Sequence, residues 1–242
     1  MQLLILSVLF IFGASIKLPQ NFLKCNRSDP DWKKCVFEAA VHAAPQFTKP
    51  FPELNAPNMD PYFIIELSIS AGSKTIQMDQ NFTNVKIYGL SRVEVIDFAF
   101  DFGAKTIYLE GIFPEIKMTG MYKFNGKVFL LPIYGEGPGQ VIFRNLKANM
   151  TAHYEEKKKN GKTYIKVVSA PLKMIPGLIQ FQHDNLFDGD KTLGDNINQV
   201  MNDNWQAVYK DIEDGYTQVV QKITVNLFNN FFSKLSLEEA FD

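Results

Sequence analysis

Three histidines are the first side chains to consider for catalysis, because histidine is the most frequent general acid or base in enzymes. His42, His153 and His183 are scattered along the chain, and none has an evident Ser or Cys partner close by in the sequence. A triad assembled in space stays open, since triads are recognised by geometry and not by sequence order. No nucleophile motif is present, and the sequence therefore predicts a protein that is not an enzyme.

Two short stretches carry residues that are typical of ligand-binding loops. The stretch "GEGPG", residues 135–139, resembles part of a phosphate-binding glycine loop. It lacks the G-x-G-x-x-G spacing, however, and Pro138 stands where a helix would have to begin. We expect a loop between strands there. The stretch "DGD", residues 188–190, lacks the ligand periodicity of a calcium loop, and helix capping explains it better. The sequence thus predicts neither a metal nor a cofactor.

Cys25 and Cys35 are the two cysteines of the chain. A metal site would need further ligands, which the scattered histidines do not supply. In a secreted protein two cysteines are more often bonded than free, so we expect a disulfide that closes a small loop. It would fix the N-terminal segment against a helix that starts near Asp29, where Pro30 suits the first turn.

The N-terminal residues predict secretion. An apolar run from Leu3 to Phe12 is too short to span a bilayer, and Gly13 and Ser15 are small residues at plausible cleavage positions. The expected arrangement is a signal peptide over residues 1–15 and a single domain over 16–242. The 25 basic and 26 acidic residues nearly cancel, which argues against nucleic-acid binding and against a strongly anionic membrane as partner. No later stretch is apolar enough for stable membrane insertion.

Three Asn-x-Ser/Thr sequons begin at Asn26, Asn81 and Asn149. In a secreted protein each is a candidate glycan acceptor, although such triplets also arise by chance. Asn149 alternates with apolar residues in a predicted strand, and this phase places its side chain outside the sheet. Asn26 lies within the loop that the cysteines would close, which would restrict access for a glycan.

Residues 62–170 read as consecutive antiparallel strands and turns. Asn125-Gly126 predicts a two-residue hairpin turn, which would pair Tyr122 with Phe129 and Gly120 with Leu131 and give the hairpin one wholly apolar face. In "VEVIDFAFDF" the alternation places Ile96, Phe98, Phe100 and Phe102 on one side. Asn160-Gly161 predicts a second hairpin tip, beside a run of lysines that we interpret as a solvated turn.

The residues after "DGD" change to a helical period. Apolar residues recur in steps of three and four from Leu193 to Phe231 without a proline, which predicts one helix of some forty residues, about 60 Å long. Asp190 or Thr192 can cap its start. No second helix of that length exists to cover it, so the sheet must wrap it. The fold class is α+β.

A curved sheet and one helix, both with large aromatic inner faces, need not close tightly against each other. Gly120 and Gly215 weaken a strand and the helix, and each allows close approach of a ligand or marks a bend, of which we prefer the bend. The phase of the two periodicities selects the candidate ligand-binding residues, each of which could equally be ordinary core: Phe98, Phe100, Met118, Tyr122, Phe129, Leu131, Trp205, Ile212, Tyr216 and Phe231. Tyr122 and Tyr216 are the candidates for hydrogen bonds to a ligand.

Long segments of the chain resemble the takeout family of arthropod secreted proteins, which is similar to juvenile-hormone-binding proteins. The resemblance is carried by "NVKIYGLS", by "KTIYLEGIFPEIKMTGMYKFNGKVFLLPIYGEGPG" and by the C-terminal "LFDGDKTLGDNINQVMNDNWQAVYKDIEDGYTQVV" and "LFNNFFSKLSLEEAFD". It runs from the first residues to the last and includes the early cysteine pair. It implies a fold of the tubular lipid-binding type, in which a highly curved antiparallel sheet wraps the long C-terminal helix and a short disulfide-tied helix flanks the mouth of the pocket.

The resemblance also implies a function. Family members carry small hydrophobic molecules, juvenile hormone or other lipid-like ligands, in an internal tunnel, and some are linked to feeding, circadian output or chemosensory tissue. We therefore expect a secreted, monomeric carrier whose partner is a small hydrophobic ligand. The alternative is a secreted signalling protein that docks on a receptor, with any internal lipid only structural. A membrane-active role ranks last, because Lys157–Lys159 is the only basic tip that the sequence offers.

Overall fold

The computed structural model describes residues 18–72, 76–129 and 131–241. The predicted signal peptide, residues 1–15, lies outside the described residues. The helices are α1 (Trp32–Ala43), α2 (Lys191–Asp203), α3 (Trp205–Phe232) and α4 (Leu237–Ala240), and the strands are β1 (Tyr62–Gly72), β2 (Ile76–Tyr88), β3 (Glu94–Asp101), β4 (Thr106–Val128), β5 (Leu131–Lys159), β6 (Lys162–Ser169), β7 (Leu172–Ile175) and β8 (Leu178–His183). Short 3-10 turns occur at Ala44–Thr48, Pro52–Leu54, Leu90–Arg92 and Phe187–Gly189.

All eight strands form one antiparallel sheet, which follows the order β1-β2-β4-β5-β6. Strand β3 pairs with β4, while β7 and β8 pair with different parts of the 29-residue strand β5. Strands β1 and β6 stand at opposite ends of this order, yet both contact α3. The sheet therefore curls around the helix, as the sequence predicted, and the α+β class with a wrapped C-terminal helix is confirmed.

The helices are fixed to the sheet by three asparagines, each of which bonds both the backbone N–H and the backbone C=O of one strand residue. Asn198 does so with His183, at 3.0 and 2.9 Å. Asn202 bonds Phe181 in the same way, at 2.7 and 2.9 Å. On α3, Asn229 bonds Val167 at 2.8 and 2.9 Å. Amide side chains thus take the place of a neighbouring strand, which satisfies backbone groups that a strand would otherwise leave unpaired.

The prediction of a hairpin turn at Asn125-Gly126 is wrong. Strand β4 continues through these residues, and the chain reverses later, where Val128 pairs with Leu131. Gly126 has φ 158°, and a Cβ there would lie 2.0 Å from the backbone oxygen of Gln77. The glycine therefore permits the close approach of β2, and Asn-Gly is no turn at this position. The later reversal pairs Tyr122 with Gly137 instead of Phe129.

Of the other two predictions of a turn or loop, one is confirmed and one is wrong. Asn160-Gly161 is a hairpin tip, because Lys159 pairs with Lys162 and both turn residues have positive φ, 51° and 77°; this prediction is confirmed. The stretch "GEGPG" is not a loop but part of β5. Its glycines let the segment after β8 lie directly on this strand, since a Cβ on Gly137 would be 2.6 Å from the backbone oxygen of Asp184.

The face predicted for β3 needs one correction. A bulge between Val95 and Asp97 shifts the register against β4. A bulge inserts an extra residue and reverses which face the following side chains occupy. Ile96 is consequently 50% exposed, whereas Phe98 and Phe100 stay on the inner face.

The single helix of some forty residues is also a wrong prediction, because the structure has two helices. Asn204 interrupts the helix with φ −119° and ψ 28°, and its side-chain amide donates to the Val200 carbonyl at 2.8 Å. The apolar period continues across the break because both helices face the same sheet. Asp190 caps α2 as predicted, accepting from the Leu193 N–H at 3.0 Å. Helix α3 passes through Gly215 without interruption.

Candidate ligand-binding cavity

Buried side chains form two separate cores. The first core joins β2, the second half of β4, β8, α2 and the start of α3. The second core joins α1, β3, β6, the end of α3 and α4. Between the two cores lies a space that the inner face of the sheet and α3 both line, and this space is the candidate site.

This space is a cavity of about 550 Å³, within the usual size range of sites for drug-sized ligands. Its walls come from the sheet, α3 and the N-terminal segment. The sheet and the adjoining turn contribute Tyr62, Leu67, Ile69, Ile87, Leu90, Ser91, Val93, Val95, Phe98, Phe100, Leu109, Gly111, Phe113, Ile116, Met118, Phe143, Leu146, Ala148, Asn149, Met150, Leu172 and Met174. None of the lining residues is charged. The cavity therefore favours an uncharged, apolar ligand or ligand segment.

Helix α1 contributes small side chains to the N-terminal wall. Val36, Ala39, Ala40 and Ala43 lie at helical spacing on one face of α1 and line the cavity. The Cys25–Cys35 disulfide is present and ties the preceding segment to this helix, which confirms that prediction. Cys25 itself borders the cavity, so the disulfide fixes a part of its wall.

The helical wall follows α3 from Tyr216 to Phe232, which is about four and a half turns. Its few polar groups are already hydrogen-bonded. The Thr224 hydroxyl donates to the Val220 carbonyl at 2.8 Å, and the Tyr216 hydroxyl donates to Gln80 Oε1 at 3.2 Å. Burial raises the pKa of Tyr216, so its hydroxyl stays neutral at physiological pH. The wall therefore presents mainly hydrocarbon to the cavity.

The structure places the ten candidate residues in two groups. Five of them line the cavity: Phe98, Phe100, Met118, Tyr216 and Phe231. They come from β3, β4 and α3, which are distant in sequence and are brought together by the curl of the sheet.

The other five candidates lie away from the cavity. Tyr122 and Ile212 are buried within the first core, and Trp205, the first residue of α3, packs against it. Phe129 has a positive φ of 48° at the chain reversal after β4, and Leu131 is 48% exposed. We leave these residues out of the proposed lining.

Tyr122 also has a local partner that occupies its hydroxyl. The hydroxyl donates to the backbone oxygen of Asp184 at 2.6 Å, and burial raises the pKa of Tyr122 to about 12. This is the usual arrangement of a buried tyrosine, and it leaves the side chain no role at the cavity.

Several lining residues were not among the candidates. The small residues of α1 could have been found, because Val36, Ala39, Ala40 and Ala43 have the spacing of one helical face. The C-terminal Phe241 borders the cavity as well, and no sequence period links it to α3.

His183 is buried outside the cavity, against the rings of Tyr122, Phe124 and Phe181. Neither ring nitrogen has a hydrogen-bond partner among the residues that the structure describes. Burial lowers the pKa of His183 to about 4, and the charge of Asp184 opposes this shift only in part. A neutral imidazole without a nucleophile beside it is a core side chain.

The described parts of the chain were also compared with the requirements of a metal site and of a membrane-spanning helix. Among residues 18–72, 76–129 and 131–241, no three His, Cys, Asp or Glu side chains are grouped so as to hold a metal ion. No helix within the same ranges has the length and apolarity needed to cross a bilayer.

The predicted glycan acceptors differ in exposure. Asn26 and Asn81 are exposed, and Asn81 Oδ1 accepts a hydrogen bond from the Ser68 hydroxyl at 2.7 Å. Asn149, whose phase predicted a side chain outside the sheet, differs from that prediction, since it is half-buried and borders the cavity.

Comparison with known proteins identifies the family to which the chain belongs. The family model described as haemolymph juvenile hormone binding protein (JHBP) matches residues 3–242. The chain belongs to the JHBP family. The JHBP family is one of non-enzymatic binding proteins, and membership implies that the chain binds a hydrophobic ligand. The resemblance noted from the sequence is thereby confirmed.

Two relatives illustrate the likeness of this JHBP-family chain. The circadian clock-controlled protein daywake of Drosophila melanogaster is 22% identical over 240 residues, which cover 91% of this chain and 90% of daywake. The crystal structure of Takeout 1 from Epiphyas postvittana has a TM-score of 0.79 at 22% identity, covering 91% of this chain and 99% of that one. At this identity the likeness to Takeout 1 establishes a shared fold.

Proposed function

We propose that this protein is a secreted carrier that holds one small hydrophobic ligand in the cavity between its two cores. The observation that carries the proposal is the uncharged cavity of about 550 Å³, whose wall is almost entirely aliphatic and aromatic. The ligand class is a terpenoid similar to juvenile hormone, a fatty acid or another lipid of comparable size. Support for this class comes from the family, whose name refers to juvenile hormone.

Burial of hydrocarbon is sufficient to drive such binding. A ligand that loses roughly 400 Å² of apolar surface to the cavity gains about 10 kcal/mol, and the cavity walls add to this gain. Association costs of about 4–15 kcal/mol are subtracted. Affinity in the micromolar to nanomolar range is therefore within reach without an ionic contact, consistent with a lining that holds no charge.

A fluorescence titration tests the proposal. The purified protein is extracted with organic solvent on a reversed-phase resin, refolded, and titrated with N-phenyl-1-naphthylamine, whose emission rises in apolar surroundings. We expect saturable binding with one site per chain, and displacement of the dye by palmitic acid or by farnesol. Extracts of the untreated protein should contain lipid by mass spectrometry. A delipidated sample that binds neither dye nor lipid would contradict the proposal.

Secretion and modification form the second part of the proposal. Expression in insect cells should release the protein into the medium without its first residues, and intact-mass measurement before and after glycosidase treatment counts the glycans. The exposed Asn26 and Asn81 and the half-buried Asn149 are the three proposed acceptors. Light scattering should give the mass of a monomer. Protein that stays inside the cells would contradict the assignment of a secreted carrier.

A further inference from the structure

The lining of the cavity ends on three elements at side chains that also belong to the first core. These residues are Tyr216 on α3, Met118 on β4 and Phe143 on β5. These elements are distant in sequence, but Met118 and Phe143 lie on paired strands and the rings of Phe143 and Tyr216 are 6.2 Å apart. We call these three side chains the end wall.

Beyond the end wall, α3, β4 and β5 no longer line the cavity. The next inward-facing side chains on the same elements, Ile212, Tyr122 and Val141, are buried in the first core and do not border the cavity. The cavity therefore does not continue into the half of the interior that α2, β8 and the hairpin of β4 and β5 enclose.

Tyr216 is the one member of the end wall with a hydrogen bond across the interior. Its hydroxyl donates to Oε1 of Gln80, a β2 side chain that is only 3% exposed. Because a buried hydroxyl is costly to leave unpaired, this bond holds the ring in place. It also occupies the hydroxyl proton, so the wall offers a ligand hydrocarbon and no free hydroxyl donor.

We propose that the end wall sets the maximum length of the ligand and receives its hydrocarbon end. This inference rests on the proposed carrier function and refines it. The lining of α3 extends from Tyr216 to Phe232, a distance of about 24 Å at the rise of a helix. The ligand is then a single-chain amphiphile of at most this length, inserted with its tail toward Tyr216.

A series of saturated fatty acids measures this limit. Lauric, myristic, palmitic, stearic, behenic and lignoceric acid each displace the bound naphthylamine dye from delipidated protein. Affinity should rise by up to about fourfold for each methylene that finds room in the cavity, the equivalent of about 0.8 kcal/mol. The rise should stop, or reverse, at the length where the tail meets the end wall. An affinity that keeps rising through lignoceric acid would overturn the proposal.

Three variants assign the limit to the end wall. Tyr216→Ala removes the ring and should move the limit to longer acids. Tyr209→Ala is the matched control, because Tyr209 is a buried tyrosine on the same helix whose hydroxyl bonds the Met174 carbonyl at 3.1 Å without lining the cavity. It should leave the limit unchanged. Val220→Phe adds bulk one turn from Tyr216 into empty space, and should move the limit to shorter acids.

The outcomes separate this inference from the carrier function. Opposite shifts in Tyr216→Ala and Val220→Phe, with no shift in Tyr209→Ala, support the end wall. A limit that none of the variants moves overturns it, while dye binding by the same samples still supports the carrier. Should Tyr216→Ala fail to fold, Val220→Phe alone decides, because it creates no cavity and removes no hydrogen bond. Wild-type protein that binds no dye contradicts the carrier function itself.

Discussion

Acidification should weaken the fold through His183 before it affects the cavity. In the folded protein the pKa of His183 is lowered from 6.5 to about 4 by burial. The unfolded chain therefore binds a proton at pH values where the folded chain does not. Stability is complete above pH 6.5 and is lost as the pH falls toward 4. Each pKa unit is worth about 1.4 kcal/mol, so the loss between pH 7.5 and pH 4 amounts to about 3 kcal/mol.

Urea unfolding at pH 7.5, 6, 5 and 4 measures this loss, and the variant His183→Phe isolates the contribution of the histidine. Carboxylates also titrate in this range, so the relevant quantity is the difference in pH dependence between wild type and variant. The variant should lose about 3 kcal/mol less than the wild type, whatever its stability at pH 7.5. His153→Gln, at an exposed site of β5, is the control and should follow the wild type. Parallel curves for wild type and His183→Phe would show that His183 does not cause the loss of stability at low pH.

Three further predictions concern the supports of the cavity. Asn202→Leu leaves the backbone N–H and C=O of Phe181 without their partner and should lower the free energy of unfolding, measured in urea, by about 1–3 kcal/mol. Asn196→Leu, at an exposed site of α2, is the control and should lower it little. Equal losses in the two variants would argue that the bonds from Asn202 to β8 do not stabilise the fold. Gly120→Ala would place a Cβ 2.9 Å from the backbone oxygen of Thr83 and should therefore lower the melting temperature. The protein that remains folded should keep its affinity for the dye. A changed affinity would show that this position influences the cavity. Replacing both cysteines by alanine opens a loop with a sequence separation of 10 and should lower the free energy of unfolding by about 3 kcal/mol. Dye binding should also become weaker. Unchanged binding would show that the N-terminal wall keeps its structure without the disulfide.

Local signals in the sequence were sufficient for much of the architecture. Alternating polarity identified the strands, and Asn160-Gly161 was a correct turn because its glycine meets nothing within 4 Å. The long apolar period of the C-terminal region, with no helix to cover it, required a sheet that wraps around it. Asp190 was a correct cap, since an N-cap depends on neighbours within the same turn.

The errors arose where a distant strand or helix determines the local structure. Asn125-Gly126 has the composition of a turn, but Gly126 is required by the approach of β2, which no local pattern reveals. Asn204 breaks the helix while the apolar period continues, because both helices face one sheet. The polar run around it contains Asn198 and Asn202, whose bonds to β8 become apparent only when the strand is in place.

The candidate site was predictable in kind more than in extent. The phase of a strand or helix states which side chains face inward, and the candidates on β4 and α3 are indeed on inward faces. It does not state where along the interior the packing is solid. Tyr122 and Met118 share a face of β4, yet only Met118 borders the cavity, because α2 and β8 fill the interior at the level of Tyr122.

Locating a bound ligand tests most directly whether the protein holds it in the cavity between the two cores. Delipidated protein is loaded with a palmitic acid analogue that carries a diazirine near the end of its tail, irradiated, digested and mapped by mass spectrometry. We expect labelling of α3 at Tyr216 and at the lining residues Val219 and Val220, and of β4 and β5 near Met118 and Phe143. Labelling confined to the outer surface, or to the first core around Tyr122 and Ile212, would contradict it.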